Sequence, residues 1–251
     1  MNLNDLLIYI DEHARSRGIR VFIVGGAVRD AFLVPDNAPK DIDLTTGDKS
    51  IYTLAYDLSK KFPGADFRIF DDRHTALQFD NFNIDFSSNF ISDGVKAYFR
   101  RKGIKASPLR DEMFSRDFTI NTMMMNLKRD TVYDVTERGQ TDITNKILRC
   151  PVSPEISLLD DPRRMLRAVK YSMKLGFIIN DEEREVITKN ARMISDIPVP
   201  YVNKIVSEML DLDIKKTIEE LYELRLLKHV PLTRKLAQIL TQNRELAKYF
   251  K

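Results

Sequence analysis

Several residue types are scarce in this 251-residue sequence, and each scarcity excludes a class of structure. The single cysteine, Cys150, rules out an intramolecular disulfide and a cysteine-based metal site, which fits a reducing compartment. The histidines, His13, His74 and His229, are scattered without the spacing of zinc ligands. The N-terminal apolar stretch is short and has acidic neighbours, so it predicts neither a signal peptide nor a membrane span. We therefore expect a cytoplasmic protein that makes no membrane contact.

The composition is that of an ordinary globular protein. Apolar residues make up 43% of the chain and charged residues 31%, and the sequence has no internal repeat or low-complexity segment. The length allows one large domain or two small ones with a substantial core. Because the formal net charge is only +3, overall charge gives no argument for nucleic-acid binding, which would have to rest on local clusters of basic residues.

The stretch from Val21 to Asp43 carries the strongest local pattern. Its opening run, VFIV, is apolar and too short for a typical helix, which favours a buried strand. Gly25 and Gly26 then allow a turn with positive φ, and the residues after them favour a helix. A strand, a glycine turn and a helix N-terminus together form a site for anions such as phosphate. We expect Gly25, Gly26 and Arg29 to surround the phosphates of a ligand.

The same stretch ends in alternating carboxylates and apolar residues, Asp41-Ile42-Asp43-Leu44. Residues i and i+2 of a strand share a face, so Asp41 and Asp43 should project together while the apolar residues face a core. Two carboxylates beside a phosphate site suit Mg²⁺, and a two-metal site of this kind stabilises phosphoryl displacement. We interpret the stretch as a nucleotidyl-transfer site. The alternative is a plain turn followed by a solvated strand edge.

Two motifs, GGAVRD at 25–30 and KDIDLTT at 40–46, closely resemble the signature of the CCA-adding enzymes (tRNA nucleotidyltransferases) and of the bacterial poly(A) polymerases. The segment RDFTINTM at 116–123 resembles the family pattern RRDFTINAMA, from which Ser115 and Thr122 depart. The resemblance implies two Mg²⁺ ions on Asp41 and Asp43, ATP and CTP as substrates, and a tRNA 3′ end as the acceptor. The residues that it implies at the nucleotide are Arg116, Asp117 and Asn121.

A third carboxylate has two candidates. The family carries an acidic residue on the strand that corresponds to Asn83–Ser87, which makes Asp85 one candidate. In the poly(A) polymerases a position shortly before Asp117 is implicated in catalysis, and this chain has Glu112 there. The sequence leaves both candidates open.

The segment DDPRRMLRAVKYSMKLGF at 160–177 closely resembles the family's EDPLRMLRAVRFAAKLGF. The family's E-D-x-x-R motif corresponds to Asp160, Asp161 and Arg164, with Asp160 in place of the usual glutamate. In the CCA-adding enzymes the matching aspartate and arginine pair with the Watson–Crick edge of C or A. The resemblance therefore implies that Asp161 and Arg164 read the base, with Arg167 as a further nucleotide or RNA contact.

Two groups of basic residues are candidate RNA contacts. The stretch from Ser87 to Leu109 is predicted to be an irregular loop, in which Tyr98 and Phe99 could stack on bases. The second group forms a stripe along the helix predicted after Pro162, beside an apolar face. For both groups a simply solvated surface is the alternative. The candidates are Lys96, Arg100 and Arg101 in the first group and Lys170 and Lys174 in the second.

These patterns predict an α/β nucleotidyltransferase head, a small mixed sheet with helices, at 1–150 and an all-α neck at 151–251. Helices are expected at 3–15 and 51–61 in the head, and at 181–190, 200–210 and 214–227 in the neck. Pro151 and Pro154 predict a linker-like break between the two domains.

Three functions remain open. They are a tRNA nucleotidyltransferase that adds C, A or both, a poly(A) polymerase, and a catalytically silent RNA-binding module that kept the scaffold. The intact D-x-D and RDFTIN motifs argue against the silent module. Full-length family members continue into a body and tail that hold the tRNA, so we expect a homodimer or a partner protein to replace that grip here.

Overall fold

The computed structural model describes residues 2–34, 39–71, 74–87 and 91–250. They form two compact units, Met1–Ile143 and Thr144–Lys251, which we call the N-terminal unit and the C-terminal unit. The first contains a mixed sheet with helices and the second is mainly helical, which confirms the predicted fold class. Within the described ranges, no helix is long and apolar enough to cross a membrane.

A seven-stranded sheet organises the described part of the N-terminal unit. Its strands are β1 (Phe22–Val24), β2 (Asp41–Thr45), β3 (Asp66–Asp71), β4 (His74–Gln78), β5 (Asn83–Ser87), β6 (Met123–Met125) and β7 (Val132–Asp134). Their order is β3-β4-β5-β2-β1-β6-β7, in which β2 and β5 run parallel and the other neighbours are antiparallel. The D-x-D strand β2 is therefore central, between β1 and β5.

The helices of this unit follow the apolar periodicity of the sequence. They are α1 (Leu3–Ser16), α2 (Gly26–Leu33), α3 (Ser50–Lys61), α4 (Asp93–Arg101), α5 (Pro108–Phe114) and α6 (Gly139–Thr144). The side chain of Asn2 caps α1 by accepting a hydrogen bond from the Asp5 N–H at 2.9 Å. The predicted apolar faces of α1 and α3 are buried, which confirms both helices.

The predicted loop between Ser87 and Leu109 is wrong for residues 93–101. Residues 93–101 form α4, whose N-terminus is capped by the Ser92 hydroxyl accepting from the Val95 N–H at 3.1 Å. Val95 and Phe99 are buried one turn apart, and the Phe99 ring packs edge-on against Phe114. Phe99 is only 3% exposed and cannot stack on bases. The many charges of this stretch conceal a short amphipathic helix whose apolar side consists of few residues.

The C-terminal unit consists mainly of helices. They are α7 (Pro154–Asp160), α8 (Arg163–Leu175), α9 (Asp181–Asn190), α10 (Val199–Leu212), α11 (Ile214–Glu223) and α12 (Arg234–Gln242), together with a parallel pair of two-residue strands, β8 (Ile147–Leu148) and β9 (Ile178–Ile179). α8 packs against α10 and α11 and ends at Gly176, which adopts φ 69°. Pro154 begins α7, where no N–H is needed for a helical hydrogen bond, and the linker-like break at Pro151 and Pro154 stays a prediction.

Two glycines of the N-terminal unit, both with positive φ, test how closely the chain approaches α5. Gly47 (φ 78°) lies so close to α5 that an added Cβ would be 2.7 Å from the Cα of Leu109, whereas Gly103 (φ 66°) has open space around it. Gly103→Ala should lose roughly 1–2 kcal/mol of unfolding free energy from backbone strain alone. Gly47→Ala should lose about 1–3 kcal/mol more, because α5 must move. Urea unfolding measures both, and equal losses would contradict the close approach.

Candidate active site

The carboxylates predicted on the D-x-D strand lie in a row on one face of the sheet. Asp41 and Asp43 alternate with residues that are fully buried on the opposite face. The parallel pairing of β2 with β5 places Asp85 opposite Asp43, and Asn83 opposite Asp41. The register of two strands thus brings three carboxylates and an amide together.

Side chains from β4 and β5 orient the ends of this row. Asn83 donates a hydrogen bond from Nδ2 to Oδ1 of Asp41 at 2.8 Å. Nε2 of His74 lies 2.9 Å from Oδ1 of Asp85, and the Phe70 ring stacks on His74 with 4.6 Å between centroids. The sequence suggested no role for His74, because its closeness to Asp85 depends on the β4–β5 register, which no local pattern reveals.

The glycine turn lies against the carboxylate row. Gly25 precedes α2 with φ 74° and ψ −137°, a conformation that side-chain-bearing residues rarely adopt. A Cβ at this position would lie 3.0 Å from Oδ2 of Asp43 and 3.1 Å from Nη1 of Arg116. The missing side chain therefore allows the start of α2, Asp43 and Arg116 to converge, as the predicted phosphate site requires.

Arg116 connects the carboxylate row to α5. Its Nη2 lies 3.5 Å from Oε1 of Glu112, and Oε2 of Glu112 accepts a hydrogen bond from the Thr45 hydroxyl at 2.9 Å. Nε of Arg116 is buried and has no hydrogen-bond partner among the described residues. Glu112 is 4% exposed, so its carboxylate is held inside the protein by Thr45 and Arg116. Glu112 thus contacts Arg116 and Thr45, whereas Asp85 lies opposite Asp43 in the strand pairing, and which of the two is the third carboxylate stays open.

The charges around Asp43 oppose one another. Desolvation raises the pKa of Asp43, Arg116 lowers it, and Asp85 and Asp41 raise it further. The net shift is upward, which means that the fold holds the ionised carboxylate at a cost. A positively charged ligand at this position would relieve that cost.

Arg29 is buried and connects α2 to the RDFTIN segment. It is 4% exposed, pairs with Asp30 at 2.7 Å and donates from Nη1 to Oδ1 of Asn121 at 3.0 Å. Asn121 in turn donates from Nδ2 to Oδ1 of Asp117 at 3.0 Å. These three predicted nucleotide-site residues thus form one hydrogen-bonded chain behind the glycine turn. Gly26 instead lines a cavity of about 370 Å³ that also borders Asp41 and Asp43.

The donor set of the row suits a hard divalent cation. Among the described residues, no group of three or more His, Cys, Asp or Glu side chains is arranged as a complete metal-binding site. Mg²⁺ needs no such group, because it is usually bound through one or two carboxylates plus water and substrate phosphates. Asp41 and Asp43 provide those carboxylates, so the residues present fit Mg²⁺.

In the C-terminal unit, the E-D-x-x-R residues lie at the junction of α7 and α8. Arg163 donates three hydrogen bonds to Asp161: from its backbone N–H and from Nε to Oδ1, at 3.1 and 2.7 Å, and from Nη2 to Oδ2 at 3.0 Å. Arg164 is buried, donates from Nη1 to the Ser157 hydroxyl at 2.7 Å, and lies with Nε 3.9 Å from Oδ2 of Asp161. The structure therefore brings Asp161 and Arg164 together, whereas Asp160 is exposed at the end of α7.

The basic candidates differ in how strongly they are engaged. On α4, Arg100 and Arg101 are exposed, and Lys96 is 3.3 Å from Asp93. On α8, Nζ of Lys170 donates to Glu208 at 2.5 Å, whereas Lys174 is exposed. Arg167 is half-buried, with its guanidinium 5.9 Å from the Tyr171 ring.

Removing the charge of Asp43 should stabilise the protein. Its pKa in the fold lies above the ordinary value of 3.8, so the ionised group opposes folding at neutral pH and not at low pH. In EDTA, Asp43→Asn should raise the unfolding free energy near pH 7 by about 1.4 kcal/mol for each unit of elevation of that pKa. The gain should shrink as the pH falls towards 3.8. Urea unfolding from pH 4 to 8 tests this, with Asp41→Asn at an exposed position of the same strand as the control. A constant difference across this range would rule out the electrostatic cause.

Comparisons with known proteins agree with this geometry. Residues 21–149 match the model of the poly A polymerase head domain. A CC-adding tRNA nucleotidyltransferase of Halalkalibacterium halodurans is 28% identical over 206 residues, which cover 78% of this chain and 46% of that protein. Poly(A) polymerase I of Escherichia coli O6:H1 is 31% identical over 194 residues, covering 72% of this chain and 40% of that protein. The chain thus spans less than half the length of either relative.

Solved structures show the same fold. A tRNA nucleotidyltransferase complexed with a primer tRNA and an incoming ATP analog superposes with a TM-score of 0.69 at 22% sequence identity. The superposition covers 96% of this chain and 68% of that chain. The match to the head-domain model over residues 21–149 and the 31% identity to a poly(A) polymerase over 72% of the chain establish that the chain belongs to the poly(A) polymerase head-domain family of nucleotidyltransferases.

Proposed function

We propose that this chain transfers nucleotides to RNA 3′ ends, with the 3′-hydroxyl attacking the α-phosphate of an NTP and pyrophosphate leaving. The observation that carries the proposal is the row of Asp41, Asp43 and Asp85 beside the Gly25 turn and Arg116. Addition of C, A or both to tRNA is our first candidate, with CTP and ATP as substrates. Poly(A) synthesis is the second, because the similarity to a poly(A) polymerase is as strong as that to a CC-adding enzyme.

The N-terminal unit would carry the phosphoryl chemistry. Asp41 and Asp43 would hold two Mg²⁺ ions, which when bound make the RNA 3′-hydroxyl a better nucleophile and neutralise charge on the triphosphate. Arg116 would place its guanidinium against phosphate oxygens, because its Nη1 lies at the glycine turn, 3.1 Å from the position that a Cβ of residue 25 would take. Arg29 would hold the glycine turn in place through Asn121, and its direct contact with phosphate stays a prediction.

Asp161 and Arg164 would read the base. A carboxylate accepts from the exocyclic amine that C and A share at this edge, whereas G and U lack that donor there. Arg163 donates two hydrogen bonds to Oδ1 of Asp161 and one to Oδ2, which leaves an acceptor site on Oδ2 for a base amine. Ser157 holds Arg164 beside that carboxylate.

The RNA itself would contact the exposed cations of both units. Lys96 and Arg100, one turn apart on α4, and Arg101 on the same helix would meet phosphates, and Lys174 would do so from α8. Lys170 contributes less charge, because Glu208 neutralises it. A homodimer or a partner protein supplying additional grip on tRNA remains part of this proposal.

One gel tests the reaction. The purified protein is incubated with Mg²⁺ and each labelled NTP, using tRNA ending at the discriminator base, tRNA ending in CC, and an unstructured RNA. We expect that CTP and ATP extend the tRNA and that the other NTPs do not. Addition should stop once the CCA end is complete. Long ATP-only ladders on every RNA would instead identify a poly(A) polymerase. If the wild type forms no more product than the Asp43→Asn variant, nucleotidyl transfer is overturned and an RNA-binding module is left.

The third carboxylate can be identified by a matched pair of variants. Asp85→Asn should lower kcat by roughly 10²–10³-fold, because it removes a charge directly beside Asp43. Glu112→Gln should act mainly on KM, because Glu112 holds Arg116 and Thr45 instead of facing the row. Steady-state kinetics on the acceptor found in the gel, with urea unfolding to check folding, measures both. A larger loss of kcat in Glu112→Gln would reverse the assignment.

A further inference from the structure

An exposed aromatic ring lies beside the carboxylate row of the N-terminal unit. Phe70, near the end of β3, is 57% exposed. Its ring stacks on the imidazole of His74, with 4.6 Å between the centroids and 23° between the ring planes. Nε2 of His74 in turn lies 2.9 Å from Oδ1 of Asp85. The Phe70 ring is therefore on the carboxylate side of the sheet and not on the side of the apolar core.

The strand register explains how an apolar ring comes to this side. The pairing of β3 with β4 shifts between Ile69 and Asp71, which makes Phe70 an extra residue in β3, and such a bulge redirects a side chain. Ile69 pairs with Thr75, and Thr75 pairs with Phe86, which is fully buried. Cross-strand partners share a face, so Ile69 lies on the other face of the sheet from Phe70, although it is 70% exposed.

The two rings lie within reach of the reacting groups. β4 and β3 are the second and third strands from β2, and the spacing of neighbouring strands places them roughly 10–15 Å from Asp43. His74 is close enough to Asp43 to lower the pKa of that carboxyl. An RNA whose 3′-hydroxyl lies at Asp43 would therefore have its last bases beside the rings.

The exposed ring suits a nucleobase. Aromatic side chains hold single-stranded nucleic acid by stacking, because every base has a face that stacks. His74 supports one face of the Phe70 ring, and more than half of the residue remains accessible. The nearest charge on the strand, Arg68, already pairs with Asp66 at 2.7 Å. This surface therefore favours a base over a phosphate.

We propose that Phe70, supported by His74, is the stacking platform for the 3′ end of the RNA acceptor and holds one of its last two bases. This inference rests on the proposed function, because it locates the RNA substrate of that function. The acceptor is favoured over the NTP as the occupant, since the base of the NTP is already assigned to Asp161 and Arg164. Phe70 is thereby added to the RNA-binding residues.

The first test is RNA binding by the full chain without NTP. A fluorescent RNA with an unpaired 3′ end is titrated by anisotropy, alongside copies that carry one abasic site at successive positions from that end. Phe70→Ala should weaken binding of the intact RNA roughly 5- to 100-fold, the usual effect of losing one stacking platform. Phe70→Tyr, which keeps the ring, should bind nearly as well as the wild type. An RNA that lacks the stacked base should bind the wild type and Phe70→Ala equally.

A matched control comes from the same strand. Ile69→Ala shortens an exposed apolar side chain on the opposite face, so it should leave RNA affinity unchanged. Phe70→Ala should leave the slope of log K against log salt unchanged, because that slope counts phosphate contacts and a stacked ring makes none. A reduced slope would contradict stacking. Urea unfolding of both variants checks that β3 stays intact.

Steady-state kinetics distinguishes the acceptor from the incoming nucleotide. Phe70→Ala should raise KM for RNA by a factor similar to its loss of affinity, because it removes a contact made before and during the reaction. KM for CTP and for ATP should stay within about twofold of the wild type. A rise confined to the NTPs would place the incoming base on the ring and overturn the assignment.

The outcomes separate this inference from the function on which it rests. If the wild type extends RNA and Phe70→Ala binds and extends it within about twofold of the wild type, the platform is wrong and the function stands. Dependence on a base further than two positions from the 3′ end would also contradict the platform. If the wild type binds RNA through Phe70 but forms no more product than Asp43→Asn, the function fails and the RNA-binding ring stands. If the wild type neither binds nor extends RNA, both fail together.

Discussion

The buried charge of Asp43, held beside other carboxylates on one sheet face, is the constraint on which the N-terminal unit depends. Burial is the largest contribution to the raised pKa of Asp43, and the parallel pairing of β2 with β5 adds repulsion by placing Asp85 beside it. Arg116, which approaches Asp43 because residue 25 has no side chain, offsets part of that energy, and His74 offsets a smaller part. The site is thus prepared for cations at some expense of stability, a compromise common where function sets the charge.

The alternating D-x-D pattern and the glycine turn predicted the central strand and its neighbour helix from local periodicity alone. Such periodicity places Asp41 and Asp43 on one face but cannot say which distant side chains meet them. His74 reaches Asp85, and Glu112 reaches Thr45, through strand register and helix packing that arise only in the folded chain. The α4 helix was missed because two buried residues, Val95 and Phe99, provide most of its apolar side.

In the C-terminal unit the sequence predicted a helix with one apolar and one basic side, and α8 has both. It did not predict how unequal the basic residues are. Arg164 is buried and donates a hydrogen bond to Ser157. Arg163 donates hydrogen bonds to Asp161, and Lys170 is neutralised by Glu208 from α10. A stripe of like charges in a sequence therefore divides, in three dimensions, into structural, bridging and solvent-facing members, according to what the next helix presents.

The chain of hydrogen bonds from Arg29 through Asn121 to Asp117 joins residues that are 92 positions apart at its first step. A buried guanidinium that lost its amide partner would be left with uncompensated donors, which is strongly unfavourable. The segments GGAVRD and RDFTIN are consequently coupled, because a change in one leaves polar groups of the other without their partners. A substitution in either segment is therefore tolerated only together with a matching change in the other. A chimaera that takes one segment from a distant relative should be less stable than either parent.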